Sequence, residues 1–153
     1  MTDVHDSRTR SRNMSAISSK NTRPELTVRK ILHSSGYRYR INVKRLRGKP
    51  DICLLRYNVL IFVHGCSWHH HDCHLFAWPK TRISFWQEKI NTNAQRDHRI
   101  IQYLKHEWRI VIVWECAIKG KTRLSDKNLE SALQAWLQSK TQFNEISGTR
   151  PIN

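Results

Sequence analysis

Long apolar runs are missing from this chain. No stretch approaches the ~18 consecutive apolar residues of a membrane-spanning helix, and the N-terminus is polar and basic, without the apolar centre of a signal peptide. A cytoplasmic protein is therefore expected. Acidic residues are scarce too: 12 Asp plus Glu stand against 27 Lys plus Arg, for a formal charge of +15 and a pI near 10.3. Such an excess repels the folded chain from itself unless a polyanion is the partner. Nucleic acid fits best, because neutralising phosphates with Lys and Arg drives binding; an anionic membrane surface is the alternative. The excess is concentrated near the N-terminus, where residues 1–50 hold thirteen Lys or Arg and only Asp3, Asp6 and Glu25 as acids. Cysteines number four, Cys53, Cys66, Cys73 and Cys116. Two disulfides are arithmetically open to them, but in a cytosolic chain with histidines between the cysteines metal ligation is the better use.

What is present reads as one domain. The 153 residues suffice for a single core of ordinary size, and no repeat or low-complexity tract interrupts them. Residues 8–20, "RTRSRNMSAISSK", suggest a short basic helix or a mobile arm. A helix is predicted from Thr22, with Glu25 completing a capping box, Pro24 in the first turn and Gly36 at the stop. "YRYRINV" (37–43) alternates like a strand, "RGKP" turns the chain, and "DICLL" and "VLIFV" form two buried strands joined by Arg56–Asn58. A helix over 84–106 follows, its stripe carrying Phe85, Ile90, Ala94, Ile101 and Leu104 and leaving Trp86 outward. Asp97 lies on that stripe, where a carboxylate needs a partner. "WRIVIVW" is a buried strand, "SDKNLESALQAWLQ" an amphipathic helix, and the last ten or so residues are expected to fray. The fold class is thus α/β: a mixed sheet with helices on both faces. Residues 1–20 form an arm, 21–140 a core and 141–153 a tail.

The chemistry concentrates in "VHGCSWHHHDC", residues 63–73. A metal site, a catalytic histidine, or both would explain it. Structural zinc takes four sulfur or nitrogen ligands. Cys66, His71 and Cys73 share this loop, and Cys116 lies just past the "VIVW" strand. If that strand runs parallel to "VLIFV" beside it, both end at one edge of the sheet and Cys116 completes a Cys3His set. Otherwise these are ordinary buried thiols. Cys53, inside a strand, reads as a small core residue. "KPD" before a two-strand hairpin resembles the first half of a metal-dependent nuclease site, with Asp51 as the carboxylate, although no Glu-x-Lys follows on the second strand; Asp51 could equally be a turn residue.

Together "RSRNMSAI", "GKPDICL", "IFVHGCSWHHHDC", "FWQEKI", Arg96–Asp97 and "VIVWEC" resemble the very-short-patch mismatch-repair (Vsr) endonucleases, in the right order over about residues 5–137. The resemblance implies a restriction-endonuclease-like fold with a structural zinc, and a Mg²⁺-dependent nick in double-stranded DNA, 5′ to the thymine of a T·G mismatch left by 5-methylcytosine deamination. Carried over residue by residue, Asp51 and the backbone carbonyl of Val63 hold Mg²⁺, and His69 is the general base. His64 and Glu25 stand around the metal waters, and Asp97 orients a histidine. Cys66, His71, Cys73 and Cys116 hold Zn²⁺. Trp68 and Trp86 wedge beside the mismatch, and Met14 enters from the other groove. A monomer, with contacts to other repair proteins, completes the expectation. One position departs from the pattern: Ser67 stands where an aromatic wedge is expected, so mismatch selectivity rests more heavily on Trp68 and Trp86. Two rivals remain: a restriction or structure-specific endonuclease of the same fold, and a zinc-stabilised DNA-binding protein without catalysis. Beside the functional roles stand plainer ones: Glu25 as a cap alone, His64 as a core histidine and Asp97 as an ion-pair partner of an Arg.

Overall fold

Alternation decides how the strands are used. In the computed structural model, which describes residues 21–149, strands β1 (Ile52–Leu54), β2 (Val59–His64), β3 (Arg109–Trp114) and β4 (Phe143–Ile146) form one sheet in the order β1-β2-β3-β4. β1 and β2 are antiparallel, whereas β2, β3 and β4 run parallel. Successive strand residues face opposite ways. Val59, Ile61, Val111 and Val113 therefore enter one core with Val28, Ile31 and Leu32 of helix α1 (Arg23–Ser34) and Leu129, Leu133, Trp136 and Leu137 of helix α3 (Asp126–Gln138). Leu60, Phe62, Ile110 and Ile112 enter a second core with Ile101 and Leu104 of helix α2 (Ile83–Leu104). The expected mixed sheet with helices on both faces is what forms. Because both faces are covered, the two central strands are apolar from Val59 to Val63 and from Ile110 to Trp114.

Three local expectations need correction. Residues 37–43 make no strand beyond one isolated bridge, in which Arg40 and Cys53 exchange backbone hydrogen bonds of 2.9 and 2.8 Å. Asn42 then takes a left-handed conformation (φ 55°) and turns the chain away. Phe85 is 44% exposed and Trp86 half-buried, the reverse of the stripe reading. The stripe meets the core only from Ile90 on, and the Phe85 ring instead lies 4.2 Å from the Arg82 guanidinium carbon. Lastly, part of the stretch expected to fray is β4, paired in register from Ile110↔Phe143 to Val113↔Ile146. Met14 and the basic arm lie outside the described residues. Among the described residues no helix is long and apolar enough to cross a membrane.

Candidate active site and metal centre

The parallel pairing of β2 with β3 matches His64 to Trp114, so both strands end at one edge of the sheet. Past that edge the chain turns through 65–73 on one side and through the 3-10 turn Glu115–Ala117 on the other. Cys66, His71, Cys73 and Cys116 meet there, with all four ligand atoms within 4.8 Å of one another. His71 Nδ1 lies 3.5 Å from Cys66 Sγ and 3.6 Å from Cys116 Sγ. A tetrahedral zinc with bonds of about 2.3 Å to sulfur and about 2.05 Å to nitrogen requires S···N edges of about 3.6 Å, so the donor set fits that ion in type and spacing. All four cysteines are free thiols. Burial pushes the Cys66 and Cys116 thiols up, away from ionisation, a cost that a bound cation removes. Cys53 is buried in the second core, as a structural residue would be.

Beside this cluster opens a cavity of about 900 Å³, lined by Glu25, Asp51, Val63, His64, Trp68, His69 and Asp97 among others. Asp51 immediately precedes β1, and its Oδ2 accepts the Val63 N–H at 2.6 Å. That bond holds the carboxylate beside the end of β2. Desolvation by burial raises the Asp51 carboxyl to about 7, against the pull of the Val63 bond and with help from the nearby Glu25. Glu25 itself is buried. Its Oε2 accepts Asn21 N–H at 3.0 Å and pairs with Arg29 Nη2 at 3.1 Å, while its own N–H donates to Thr22 Oγ1 at 3.4 Å. Half of the expected capping box is present; the carboxylate reaches one residue further back, to Asn21, so capping and a place in the cavity coexist.

The histidines are ordered by rings rather than by chain neighbours. His64 and His69 stack face to face, centroids 3.9 Å apart at 5°. Burial and the adjacent His69 hold His64 down to about 3, so it is neutral. His69 Nδ1 bonds to Asp97 Oδ2. A carboxylate only accepts, so Nδ1 carries a proton, and in the neutral ring Nε2 is the nitrogen with the lone pair. Among the described residues Asp97 thus pairs with a histidine and not with an arginine. Trp114 lies beneath this group, stacked on His71 at 4.1 Å and 12°, with its centroid 5.3 Å from that of His64 in a T-shaped contact. The rings of Trp68 and Trp86 meet edge-on at 5.9 Å, and Trp68 is 43% exposed. Lys89 lies 5.9 and 5.5 Å from their centroids. Ser67 is exposed and donates to Leu75 O at 3.2 Å.

All the described residues singled out from the sequence therefore gather along one edge of the sheet. Two were missed. Glu115 lines the cavity, and its Oε1 accepts the Cys66 N–H at 3.2 Å, tying the loop to β3. Arg29 buttresses Glu25 and Asn21, the latter at 2.8 Å from Nη1. A carboxylate next to a ligand cysteine, Glu115–Cys116, was the available signal for the first. For Arg29, it was the i,i+4 spacing from Glu25.

Comparison with known proteins points the same way. Residues 2–75 match the family model "DNA mismatch endonuclease Vsr". Over 138 residues the chain is 45% identical to the DNA mismatch endonuclease Vsr of Escherichia coli K12, covering 90% of this chain and 88% of that one. It is 45% identical over 122 residues to a type II nicking enzyme of Neisseria meningitidis serogroup A (79% and 87% covered). With a type II nicking enzyme of Xanthomonas oryzae pv. oryzae it shares 46% over 106 residues (69% and 78%). The chain belongs to the Vsr family of DNA mismatch endonucleases.

Proposed function

We propose that this protein nicks double-stranded DNA 5′ to the thymine of a T·G mismatch, in a Mg²⁺-dependent reaction on a restriction-endonuclease-like fold stiffened by zinc. The observation that carries the proposal is the cavity, where a carboxylate, a carboxylate-paired imidazole and the exposed Trp68 indole meet at one sheet edge, with Trp86 edge-on to Trp68. Asp51 and the Val63 carbonyl would hold the Mg²⁺; hard oxygen ligands suit it, and DNA phosphate and water supply the remainder. When bound, the ion neutralises charge on the scissile phosphate. His69 Nε2 takes the proton of the attacking water while Asp97 keeps the ring in the correct tautomer and stabilises its cation. His64, neutral and stacked on His69, holds that ring in place. Glu25, fixed by Arg29 and Asn21, orients water around the metal.

Trp68 and Trp86 supply the wedge. Unstacking a base step costs a few kcal/mol and is cheapest where pairing is already poor, which favours a mismatch. Duplex backbone is met by exposed cations of the segment before β1: Arg38, Arg40, Lys44, Arg45, Arg47 and Lys49. Lys49 reaches the cavity wall, and the Arg47 guanidinium lies 4.7 Å from the Tyr103 ring centroid. We assign residues 1–20, including Met14, to an arm on DNA, residues 21–140 to the catalytic core and 141–153 to its C-terminal segment. The protein works as a monomer in the cytoplasm, where thiolate ligands stay reduced.

The test is a nicking assay with Mg²⁺ on duplexes differing in a single pair, T·G, U·G or T·A, in several flanking contexts. A nick 5′ to the mismatched thymine, strongest on T·G, is expected. Equal cutting of T·A would favour a restriction-type or structure-specific endonuclease, and binding without any nick would favour a DNA-binding module.

A further inference from the structure

We propose that the segment following β4 is a clasp on the Cys/His cluster, with Gly148 and Thr122 as positioning residues for the ligand Cys116. The proposal rests on reading that cluster as a zinc site. Gly148 N–H donates to Cys116 Sγ at 3.3 Å, from 32 residues further along the chain. Thr149 N–H donates to Thr122 O at 2.8 Å, and Thr149 Oγ1 to the same carbonyl at 3.3 Å. Thr122, which is buried, donates its hydroxyl to Cys116 O at 3.1 Å. The Cys116 sulfur and carbonyl are thus both held from outside its own turn.

The geometry admits little else. A Cβ on Gly148 would lie 2.4 Å from Cys116 O, 2.4 Å from Thr122 Oγ1 and 2.6 Å from Thr122 O, the first and last of these being backbone. Only glycine lets the chain approach closely enough for its N–H to reach the sulfur. His74 closes the far side. Its Nδ1 is 3.4 Å from Thr122 Oγ1, whose proton already points to Cys116 O, so Nδ1–H is the donor of that contact. Its Nε2 lies where a Cβ on Gly120 (φ +87°) would come within 2.9 Å.

An N–H···S bond is stronger when the sulfur is a thiolate than when it is a neutral thiol. The clasp therefore favours the metal-bound state of Cys116 and opposes its protonation and departure. Groups that orient metal ligands in this way typically change metal affinity by about 10- to 100-fold when removed. Cys66, Cys73 and His71 sit on one short loop, but Cys116 arrives alone from β3. It is the ligand with most to gain from a second tether.

The test follows zinc, not catalysis. Zinc-loaded full-length protein is mixed with excess chromogenic chelator and the release rate recorded. The cobalt-substituted protein reports the thiolate-to-metal charge-transfer band. Gly148→Ala and the near-isosteric Thr122→Val are expected to release zinc roughly tenfold faster and to shift the cobalt band, with wild-type circular dichroism. Asn144→Ala, an exposed position on β4 that makes none of these bonds, is expected to release zinc at the wild-type rate. Wild-type release from Thr122→Val together with Gly148→Ala overturns the clasp. Where Gly148→Ala fails to fold, Thr122→Val decides alone. Absence of zinc from the purified wild-type chain overturns the metal reading itself, so the two failures are seen in different proteins.

Discussion

Replacing Asp51 by asparagine is expected to make the metal-free protein more stable while ending its nicking. In the folded chain the carboxyl titrates at about 7, against 3.8 for the free side chain, because burial disfavours its charge and Glu25 adds to the effect. Below pH 3.8 the group is protonated whether the chain is folded or not, so it costs nothing. As pH rises towards 7 the unfolded chain ionises first, and stability falls by about 1.4 kcal/mol per unit of pKa difference. Above about 7 the whole penalty is present, at most about 4 kcal/mol by that slope and the roughly three-unit rise. The amide of Asp51→Asn keeps an oxygen for the Val63 N–H and cannot ionise. The variant should therefore gain about 2–4 kcal/mol at pH 8, or roughly 5–15 °C in Tm for a domain of this size, and nothing at pH 4. Added Mg²⁺ should raise the wild-type Tm at pH 8, by preferential binding to the folded state, and leave the variant unchanged. Thermal melts of both proteins from pH 4 to 8, with and without Mg²⁺ and beside a nicking assay, check all of this. A variant less stable than wild type at pH 8, or one that still nicks, would refute the reasoning.

Three other variants probe separate parts of the site. Cys116→Ser should lower the zinc content of the purified chain from about one ion per molecule and depress its Tm, as chelation of the wild type should; an unchanged zinc content by elemental analysis would remove Cys116 from the ligand set. Ser67→Phe adds a ring next to Trp68, and base–aromatic stacking of about 1–3 kcal/mol should raise the T·G over T·A nicking ratio by about fivefold or more; no change counts against the wedge as drawn. Arg45→Gln with Arg47→Gln should weaken binding to matched and mismatched duplex alike and flatten the log K against log[salt] slope by roughly two, measured by fluorescence anisotropy; loss confined to the mismatched duplex would contradict a backbone role.

How far the sequence reveals this site depends on the range of the forces involved. β2 and β3 are uninterrupted apolar runs, which is what a strand covered on both faces requires, and their parallel pairing brings Cys116 to the loop as expected. The Trp86–Phe85 exchange was not legible, because a helical stripe says which side faces inward but not where the core beneath it begins. β4 was hidden for a related reason. Phe143–Ile146 carries two polar residues between apolar ends, and only the vacant edge of β3 makes it a strand. Asn42 and His70, both at positive φ, are turns whose left-handed backbone no local pattern announces. The histidine roles divide the same way. Asp97 on an apolar stripe signalled the need for a partner, but whether that partner would be an arginine or His69 is settled by tertiary packing.

The joint between the cavity and the Cys/His cluster has a physical role, because nothing in the chemistry of hydrolysis demands a metal site next to the proposed base. His69 and His71 sit two residues apart on a loop with little regular structure, held by His69 N–H to Gly65 O at 3.2 Å and His71 N–H to Cys66 O at 3.0 Å. A loop like that would ordinarily sample many arrangements, at roughly 1–2 kcal/mol per ordered residue. Here His71 is fixed from one side by the thiol cluster and from the other by the face of Trp114, a ring that also makes T-shaped contacts with His64 and His69. Trp114 is the last residue of β3, so the position of the His69 ring is referred to the central sheet. Asp51, bonded to Val63 on β2, is referred to the neighbouring strand. The Asp51 carboxylate and the His69 imidazole are thus positioned by adjacent parallel strands, and the Cys/His cluster closes the segment between them that the sheet does not hold.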